Sequence, residues 1–187
     1  MSDSAQTVIE RTQCWIDNIV IGLNLCPFAG SAFKNGSIEY HVSGKHENDI
    51  EQHLQQLAER FKQLDSTDSI ETSLLIFARH YKNFDDYLDM LYLANQRLDD
   101  LNYVGIYQIA SFHPSYCFDG VDANDVANFT NRSPYPMLHI LREHSVEEAI
   151  EHYDDIASVP ENNIKRLRKI GLQEMQHRIK TLSGETP

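Results

Sequence analysis

The spacing of apolar residues predicts helices and strands along most of the chain. From Ser4 to Ile21 apolar residues recur every three to four positions, which predicts an amphipathic helix with Ser4 as its N-cap. Gly22 and Pro27 predict the end of this helix. The Asn35-Gly36 pair is typical of a tight turn, so we expect a hairpin that begins near residues 32–33.

The middle of the chain predicts a central sheet, because alternating or continuous apolar runs are separated by segments of helical spacing. The strands are predicted at 38–43, 73–78 and 103–112, and the helices at 50–64 and 84–98, the second capped by Asn83. This order predicts one α/β domain over residues 1–187, with a sheet of at least three partly parallel strands covered by helices. The alternative is an α+β sandwich with helices on one face only.

After the third strand the pattern changes. Residues 113–136 are polar and rich in turn formers, and Met137–Glu143 has the spacing of a short helix. Ser145 opens a Ser-x-x-Glu capping box, which predicts another helix. Pro160 fits the first turn of a final helix that bends at Gly171.

Composition narrows the class of protein. A formal net charge of −12 argues against a nucleic-acid partner, since phosphate backbones repel an acidic surface. The start of the chain lacks the pattern of a signal peptide, and the longest apolar run, 19–25, is too short to span a membrane. Three cysteines without a Cys-x-x-Cys pair exclude a disulfide scaffold and a zinc knuckle. We therefore expect a soluble cytoplasmic protein with free thiols.

The segment 113–136 is the predicted location of the functional site. Connections of this length are uncommon in compact domains and are usually functional or disordered. Its aromatic residues disfavour disorder, and it follows the carboxyl end of a strand that we predict to be central, where open α/β sheets bind ligands. The competing interpretation is an ordered loop that only covers the end of the sheet.

Three runs in the chain resemble one known family. They are Gly22-Leu23-Asn24-Leu25-Cys26-Pro27-Phe28-Ala29, Ser111-Phe112-His113-Pro114, and the long run from Asn128 to Glu143 that contains Thr-Asn-Arg-Ser-Pro-Tyr-Pro. Together they resemble the uncharacterised bacterial "domain of unknown function 1415" family, and the likeness covers most of the chain. The resemblance implies a single domain and transfers no activity.

The first hypothesis for the chemistry is an anion site. Arg132 and Arg142 offer forked donors to a carboxylate or phosphate, and Ser133 with Asn131 lies beside the amides of a predicted helix start. His139 shares a helix face with Arg142 at i and i+3, so His139 or His113 is the candidate general acid or base. The implied protein is an enzyme for hydrolysis or group transfer on a small acidic metabolite. Alternatively, the two arginines pair with carboxylates and hold the loop in place.

The second hypothesis is a metal site with two histidines and a carboxylate, drawn from His113, His139, Asp119 and Asp122. His139 and Glu143 are also i and i+4, a spacing that metal ligands use on one helix turn. No His-Glu-x-x-His motif or calcium-loop pattern supports it.

The third hypothesis is a reactive thiol. Cys26 precedes Pro27 and acts as a nucleophile if a histidine lies nearby in space, although an inert core thiol is the commoner role. A protein without catalysis, which binds a ligand or a protein partner through the loop, is the remaining alternative. No pattern specifies a cofactor or an oligomeric state.

Overall fold

The computed structural model describes residues 3–44, 49–151 and 155–183, which form one domain around a four-stranded open sheet. Its strands are β1 (Ile38–Val42), β2 (Thr72–Ile76), β3 (Tyr107–Phe112) and β4 (Met137–Arg142). Their spatial order is β1-β2-β4-β3, with β1 parallel to β2 and β4 antiparallel to both of its neighbours. The predicted α/β fold with a partly parallel sheet is therefore confirmed, but β3, which we expected to be central, is an edge strand.

Helices cover both faces of the sheet. They are α1 (Ala5–Trp15), α2 (Ala29–Lys34), α3 (Ile50–Ser66), α4 (Phe84–Asp100), α5 (Glu143–Glu151), α6 (Val159–Ile170) and α7 (Leu172–Ser183). Ser4 caps α1 and Asn83 caps α4, as predicted, because each side-chain oxygen accepts a bond from a free amide of the first turn. Gly171, at φ 87°, separates the last two helices, so the predicted bend is a break. Among these described helices, none combines the length and the apolar character needed to cross a membrane.

The first helix widens before it ends. Its last part, Ile16–Ile21, is a π-helix, in which each amide bonds five residues back. Gly22 closes this turn by donating to Asp17 O at 2.8 Å. A Cβ atom on Gly22 would lie 2.5 Å from Asn18 O, so the wide turn requires glycine at this position.

Two predicted elements are wrong. Met137–Glu143 is not a helix, because residues 137–142 form β4 and pair with strands on both sides. The strand has buried residues on both faces. Over six residues, such a nearly continuous apolar run cannot be distinguished from a helix by its periodicity. The expected hairpin near residues 32–33 is also absent, because α2 occupies 29–34 and the Asn35-Gly36 turn joins a helix to β1.

The sheet separates two cores. On the face that we call the α3–α4 face, β2 and β4 contribute Leu75, Leu138 and Ile140, all fully buried. On the opposite face, called the α1 face, Leu74, Ile76 and Met137 pack against α1, the π-helix, α6 and α7. Because side chains alternate along a strand, His139 and Arg142 of β4 point to opposite faces. The predicted shared face for these two residues is therefore wrong.

Candidate functional site

A cavity of about 330 Å³ lies between the α1 face of the sheet and the helices above it. Side chains of α1, the π-helix, α2 and α5 form its walls, and all four strands contribute to its floor. The lining residues are Trp15, Ile16, Val20, Cys26, Phe28, Ala29, Ala32, Ile38, Glu71, Thr72, Leu74, Gln108, Ala110, Phe112, His139, Leu141, Arg142, Ser145, Val146 and Ala149. Most of them are apolar, and the volume falls within the range of small-molecule sites.

The space exists because small side chains stand where large ones would fill it. On the floor, Leu74, His139 and Ala110 are neighbours across three adjacent strands. Ala110 leaves room beside the imidazole. From above, α2 presents Ala29 and Ala32 to the same space. A larger residue at any of these alanines would occupy the cavity.

Trp15 and the π-helix form one wall. The indole Nε1 of Trp15 donates to Arg132 O at 3.1 Å, and its ring meets the edge of Phe112 with 5.3 Å between centroids. Ile16 and Val20 extend this wall along the π-helix. Short π-helical insertions are rare and frequently occur at functional sites. The π-helix in this wall therefore supports the cavity as a candidate functional site.

His139 is the one histidine among the described residues of the lining, and its hydrogen bonds determine which nitrogen carries the proton. The hydroxyl Oγ1 of Thr72 lies 2.7 Å from Nε2 of His139 and 2.5 Å from Ile140 O. A carbonyl only accepts, so the single hydroxyl proton is donated to Ile140 O. Thr72 must then accept from His139, which places a proton on Nε2.

The other nitrogen of His139 has no hydrogen-bond partner, and we infer that it faces the cavity. Nδ1 makes no hydrogen bond to any residue that the structure describes. It is not fully enclosed by protein atoms, so a small molecule can reach it. Because His139 lines the cavity, Nδ1 is open to it. In the neutral ring with a proton on Nε2, this atom is a hydrogen-bond acceptor.

Burial holds His139 in its neutral form. The apolar surroundings lower the pKa of His139 to about 4, because desolvation penalises the imidazolium. No carboxylate is a hydrogen-bond or ring-contact partner of His139 within the described chain. At neutral pH the cavity therefore contains an uncharged acceptor.

One end of the cavity is polar and reaches the surface. Glu71, Gln108 and Ser145 line this end, and Gln108 is exposed. Thr72 and Gln108 both neighbour Leu141 in the sheet, and Leu141 lies two residues from His139 on the same face. This end gives a ligand a route from solvent.

Cys26, the predicted thiol candidate, lines the same cavity as His139. It is half-buried, whereas Cys14 is exposed and the Cys117 thiol donates to Val121 O at 3.3 Å. The structure thus brings a cysteine and a histidine to one space, as the thiol hypothesis requires. A reaction at Cys26 stays a prediction.

His113 lies on the other side of the sheet and does not reach the cavity. Its ring contacts Phe84 and Tyr87 of α4, each with 5.1 Å between centroids. Nε2 donates to Tyr81 O at 2.8 Å, and Nδ1 accepts from the amide of Ser115 at 2.9 Å. Both nitrogens have partners, and burial lowers the pKa of His113.

The predicted anion ligands of the loop are engaged with its backbone. Arg132 donates from Nε to Tyr116 O at 3.0 Å and from Nη2 to Ala123 O at 2.7 Å, and its guanidinium lies over the Phe129 ring. Ser133 is buried and donates to Tyr135 O at 2.7 Å. Asn131 donates to Ser111 O at 3.0 Å. These bonds hold the loop against the sheet.

Arg142 extends to the α3–α4 face. Its Nη2 donates to Leu64 O at 2.6 Å and to Ile70 O at 3.1 Å, and the guanidinium lies 5.9 Å from the Tyr107 ring centroid. The carbonyl of Leu64 belongs to the last turn of α3, where a cation is favourable. Arg142 and Arg132 therefore bind separate parts of the backbone.

The predicted metal ligands are not gathered into one group. Within residues 3–44, 49–151 and 155–183, no three His, Cys, Asp or Glu side chains are placed to hold a metal ion. Asp119 is exposed, and Asp122 accepts from the amide of Asn124 at 2.7 Å. Glu143 begins α5, so its helical spacing from His139 does not exist in the fold.

Of the residues predicted from the sequence, His139, Cys26 and Arg142 line the cavity, and the other lining residues were missed. Ala110 is an ordinary small residue inside a predicted strand, and Thr72 lies one residue outside the predicted limits of β2. The one available signal was the run from Gly22 to Pro27, where a helix end, a cysteine and a proline coincide beside an apolar stretch.

Comparison with known proteins identifies a family without adding a function. A family model described as "Protein of unknown function (DUF1415)" matches residues 7–177. No curated protein and no solved structure matches the chain.

Proposed function

Since the chain belongs to the DUF1415 family, whose description assigns no activity, we propose a function from the cavity alone: the protein binds a small, largely apolar, uncharged molecule between the sheet and the N-terminal helices. The observation that carries this proposal is an apolar cavity of about 330 Å³ that is lined by His139, whose Nδ1 has no hydrogen-bond partner among the described residues. Apolar walls with few polar groups are typical of ligand sites.

The charge of the site favours an uncharged ligand. His139 stays neutral because burial lowers its pKa to about 4, and Glu71 lies at the polar end. A bare carboxylate or phosphate inside the cavity would lose its hydration without gaining a cation. Arg142 lies at the border, but its guanidinium is committed to backbone carbonyls on the far face.

The same pKa favours binding over acid–base catalysis. A general base works best when its pKa lies near the working pH, and that of His139 is well below neutrality. His139 is therefore better suited to orient a ligand than to remove its proton. Catalysis at Cys26 remains compatible with the cavity, and it is a separate prediction.

Trp15 provides the test, because it is the only tryptophan of the chain and lines the cavity. Its indole N–H gives a single resonance in a ¹H–¹⁵N correlation spectrum. We expect naphthalene, a neutral apolar probe, to shift this resonance in a saturable titration. Ala110→Leu fills the floor and should weaken probe binding by about tenfold or more, since the larger side chain takes the volume of the ligand.

The matched control is Ala5→Leu. It makes the same change of side chain outside the cavity, because Ala5 is exposed on α1. It should bind the probe as the original protein does. The proposal fails if naphthalene leaves the Trp15 resonance unchanged up to its solubility limit. It also fails if Ala110→Leu folds normally and binds with unchanged affinity.

The finer hypothesis of an anion-processing enzyme stays a prediction. It would require Arg132 to release Tyr116 O and Ala123 O, and His113 to release Tyr81 O. Its test is the Arg132→Ala variant. Lost binding of a small acid by a folded variant would support the anion site, whereas unchanged stability and unchanged binding of phosphate and acetate would contradict it.

A further inference from the structure

We propose that the ligand presents a hydroxyl or another O–H or N–H donor to Nδ1 of His139, and that Thr72 sets this preference by holding the proton on Nε2. The inference rests on the proposed binding function and names the chemical class of the ligand: a neutral, mostly apolar alcohol or phenol. It follows from the directions of three hydrogen-bonding atoms.

The first step is the fixed tautomer. The Thr72 hydroxyl has one proton, and it lies 2.5 Å from Ile140 O, which accepts only. Its lone pair faces Nε2 of His139 at 2.7 Å, where a donor is required. A neutral imidazole has one proton, so Nδ1 carries a lone pair. The backbone of β4 thus determines, through Thr72, what the cavity offers to a ligand.

The second step is the effect of this lone pair on specificity. A ligand with an O–H group pairs with Nδ1, whereas an ether or ketone of the same shape places an acceptor against an acceptor. A site built to bond a donor discriminates against analogues that lack it, because its own polar atom is then left unpaired. A carboxylate adds charge repulsion and lost hydration to the same mismatch.

The third step is that the neighbouring side chains leave the selection to His139. Around it, Leu74, Ala110 and Phe112 supply apolar surface without a polar side-chain atom. Of the other polar side chains in the lining, Gln108, Glu71 and Ser145 lie at the end that reaches solvent. Thr72 and Arg142 are engaged with backbone carbonyls, and the Cys26 thiol is only a weak hydrogen-bonding group. A polar atom in the interior of the ligand therefore meets Nδ1 first.

The ligand test uses a matched pair of probes. 1-Naphthol and 1-methoxynaphthalene share a ring system, but only the naphthol donates a hydrogen bond. With the Trp15 indole resonance as readout, we expect naphthol to bind about fivefold tighter than the ether, since one hydrogen bond to a neutral acceptor distinguishes them. His139→Phe removes the acceptor, so the ratio of the two Kd values should fall to about one in that variant.

The tautomer test does not depend on a ligand. Long-range ¹H–¹⁵N correlation spectra report which imidazole nitrogen is protonated, and we expect a proton on Nε2 of His139 in the unliganded protein. Thr72→Val keeps the shape of the side chain and removes the acceptor. The ring should then shift towards the Nδ1–H form, and the preference for naphthol over the ether should shrink or invert.

These outcomes separate the inference from the function on which it rests. If naphthol and the ether bind equally well, and Ala110→Leu abolishes both, the cavity binds apolar molecules and the donor preference is wrong. A proton found on Nδ1 in the original protein likewise overturns the inference. If no probe binds, the proposed function and the inference fail together.

Discussion

The two faces of the sheet are built from neighbouring residues of the same strands, yet only one of them encloses the cavity. On the α3–α4 face, Leu75 and Ile140 are fully buried among side chains of α3 and α4. On the α1 face, Leu74 and His139 border the cavity. None of the buried residues that form the α3–α4 core lines this space.

The polar groups of the two faces differ in their access to open space, since Nε of Arg60 on the α3–α4 face is enclosed by protein. On the α3–α4 face, Arg142 donates to two carbonyls, and Tyr107 donates to Oδ1 of Asp65 at 2.8 Å. On the α1 face, His139 uses one nitrogen and leaves the other open. A filled core stabilises a fold, whereas open space beside an accessible acceptor allows a ligand to bind. We therefore assign structure to one face and recognition to the other.

The largest expected effect compares two adjacent leucines. Leu75→Ala should lower the free energy of unfolding by about 3–5 kcal/mol, because it removes a fully buried side chain from a filled core. Leu74→Ala should cost about 1–2 kcal/mol less, because one side of Leu74 already faces open space and makes fewer contacts. Urea denaturation measures both. Equal losses would mean that the two faces are packed alike.

The second largest effect is expected from low pH, which should reduce the stability that His139 contributes on the α1 face. An unfolded histidine takes up a proton near pH 6.5, whereas folded His139, with its pKa lowered to about 4, does not. Stability due to this residue is therefore complete above about pH 6.5 and lost as pH falls to about 4, with an upper limit of about 3 kcal/mol. His113 adds a contribution of the same sign, since burial also lowers its pKa.

His139→Gln should make the free energy of unfolding depend less on pH between about pH 4 and 7. In about this range the folded and unfolded states differ in the protonation of His139. His177→Gln is the control, because His177 is exposed on α7. If both variants follow the curve of the original protein, His139 does not stay neutral in the folded state.

A smaller loss is expected when a hydroxyl is removed from the α3–α4 face. The Tyr87 hydroxyl donates to Met137 O at 2.8 Å and accepts from Phe112 N at 3.1 Å, so it joins α4 to the ends of two strands. Tyr87→Phe leaves that amide unpaired and should cost about 1–3 kcal/mol. Naphthalene binding should stay within about twofold, and a large loss of binding would show that the two faces are energetically coupled.

The smallest expected effect is a change in the reactivity of the Cys26 thiol. Cys26 lines the cavity, whereas Cys14 is exposed outside it. Bound naphthalene should slow the alkylation of Cys26 by iodoacetamide several-fold and leave Cys14 unaffected, since only one thiol shares the space with the ligand. Mass spectrometry of the two peptides measures the rates. Equal protection of both would indicate a global change rather than occupancy of the cavity.

Local signals in the sequence predicted the elements that local contacts determine. Ser4 and Asn83 cap helices through bonds to amides only two or three residues away, and the alternation of residues 38–42 reflects their own strand. With the exception of α2, the order of helices and strands up to β3 followed from such patterns. These contacts need no knowledge of distant residues.

Apart from the local error at α2, the errors and omissions concern contacts between distant segments. Residues 137–142 are a strand because β2 and β3 lie on either side, 60 or more residues and about 30 residues away in the chain. The cavity needs Ala110 beside His139 and α2 above both, a coincidence of three segments. Arg132 and Arg142 satisfy backbone carbonyls, which carry no signature in the order of the side chains.

The position of β4 has a consequence for synthesis of the protein. It is the last of the four strands that the structure describes, yet it lies between β2 and β3, which are not hydrogen-bonded to each other. During synthesis, the edges of β2 and β3 that pair with β4 stay unpaired until residues 137–142 have left the ribosome. Unpaired strand edges can pair with other chains. His139 is part of that strand, so a chain able to bind the proposed ligand is also one in which the sheet has been completed.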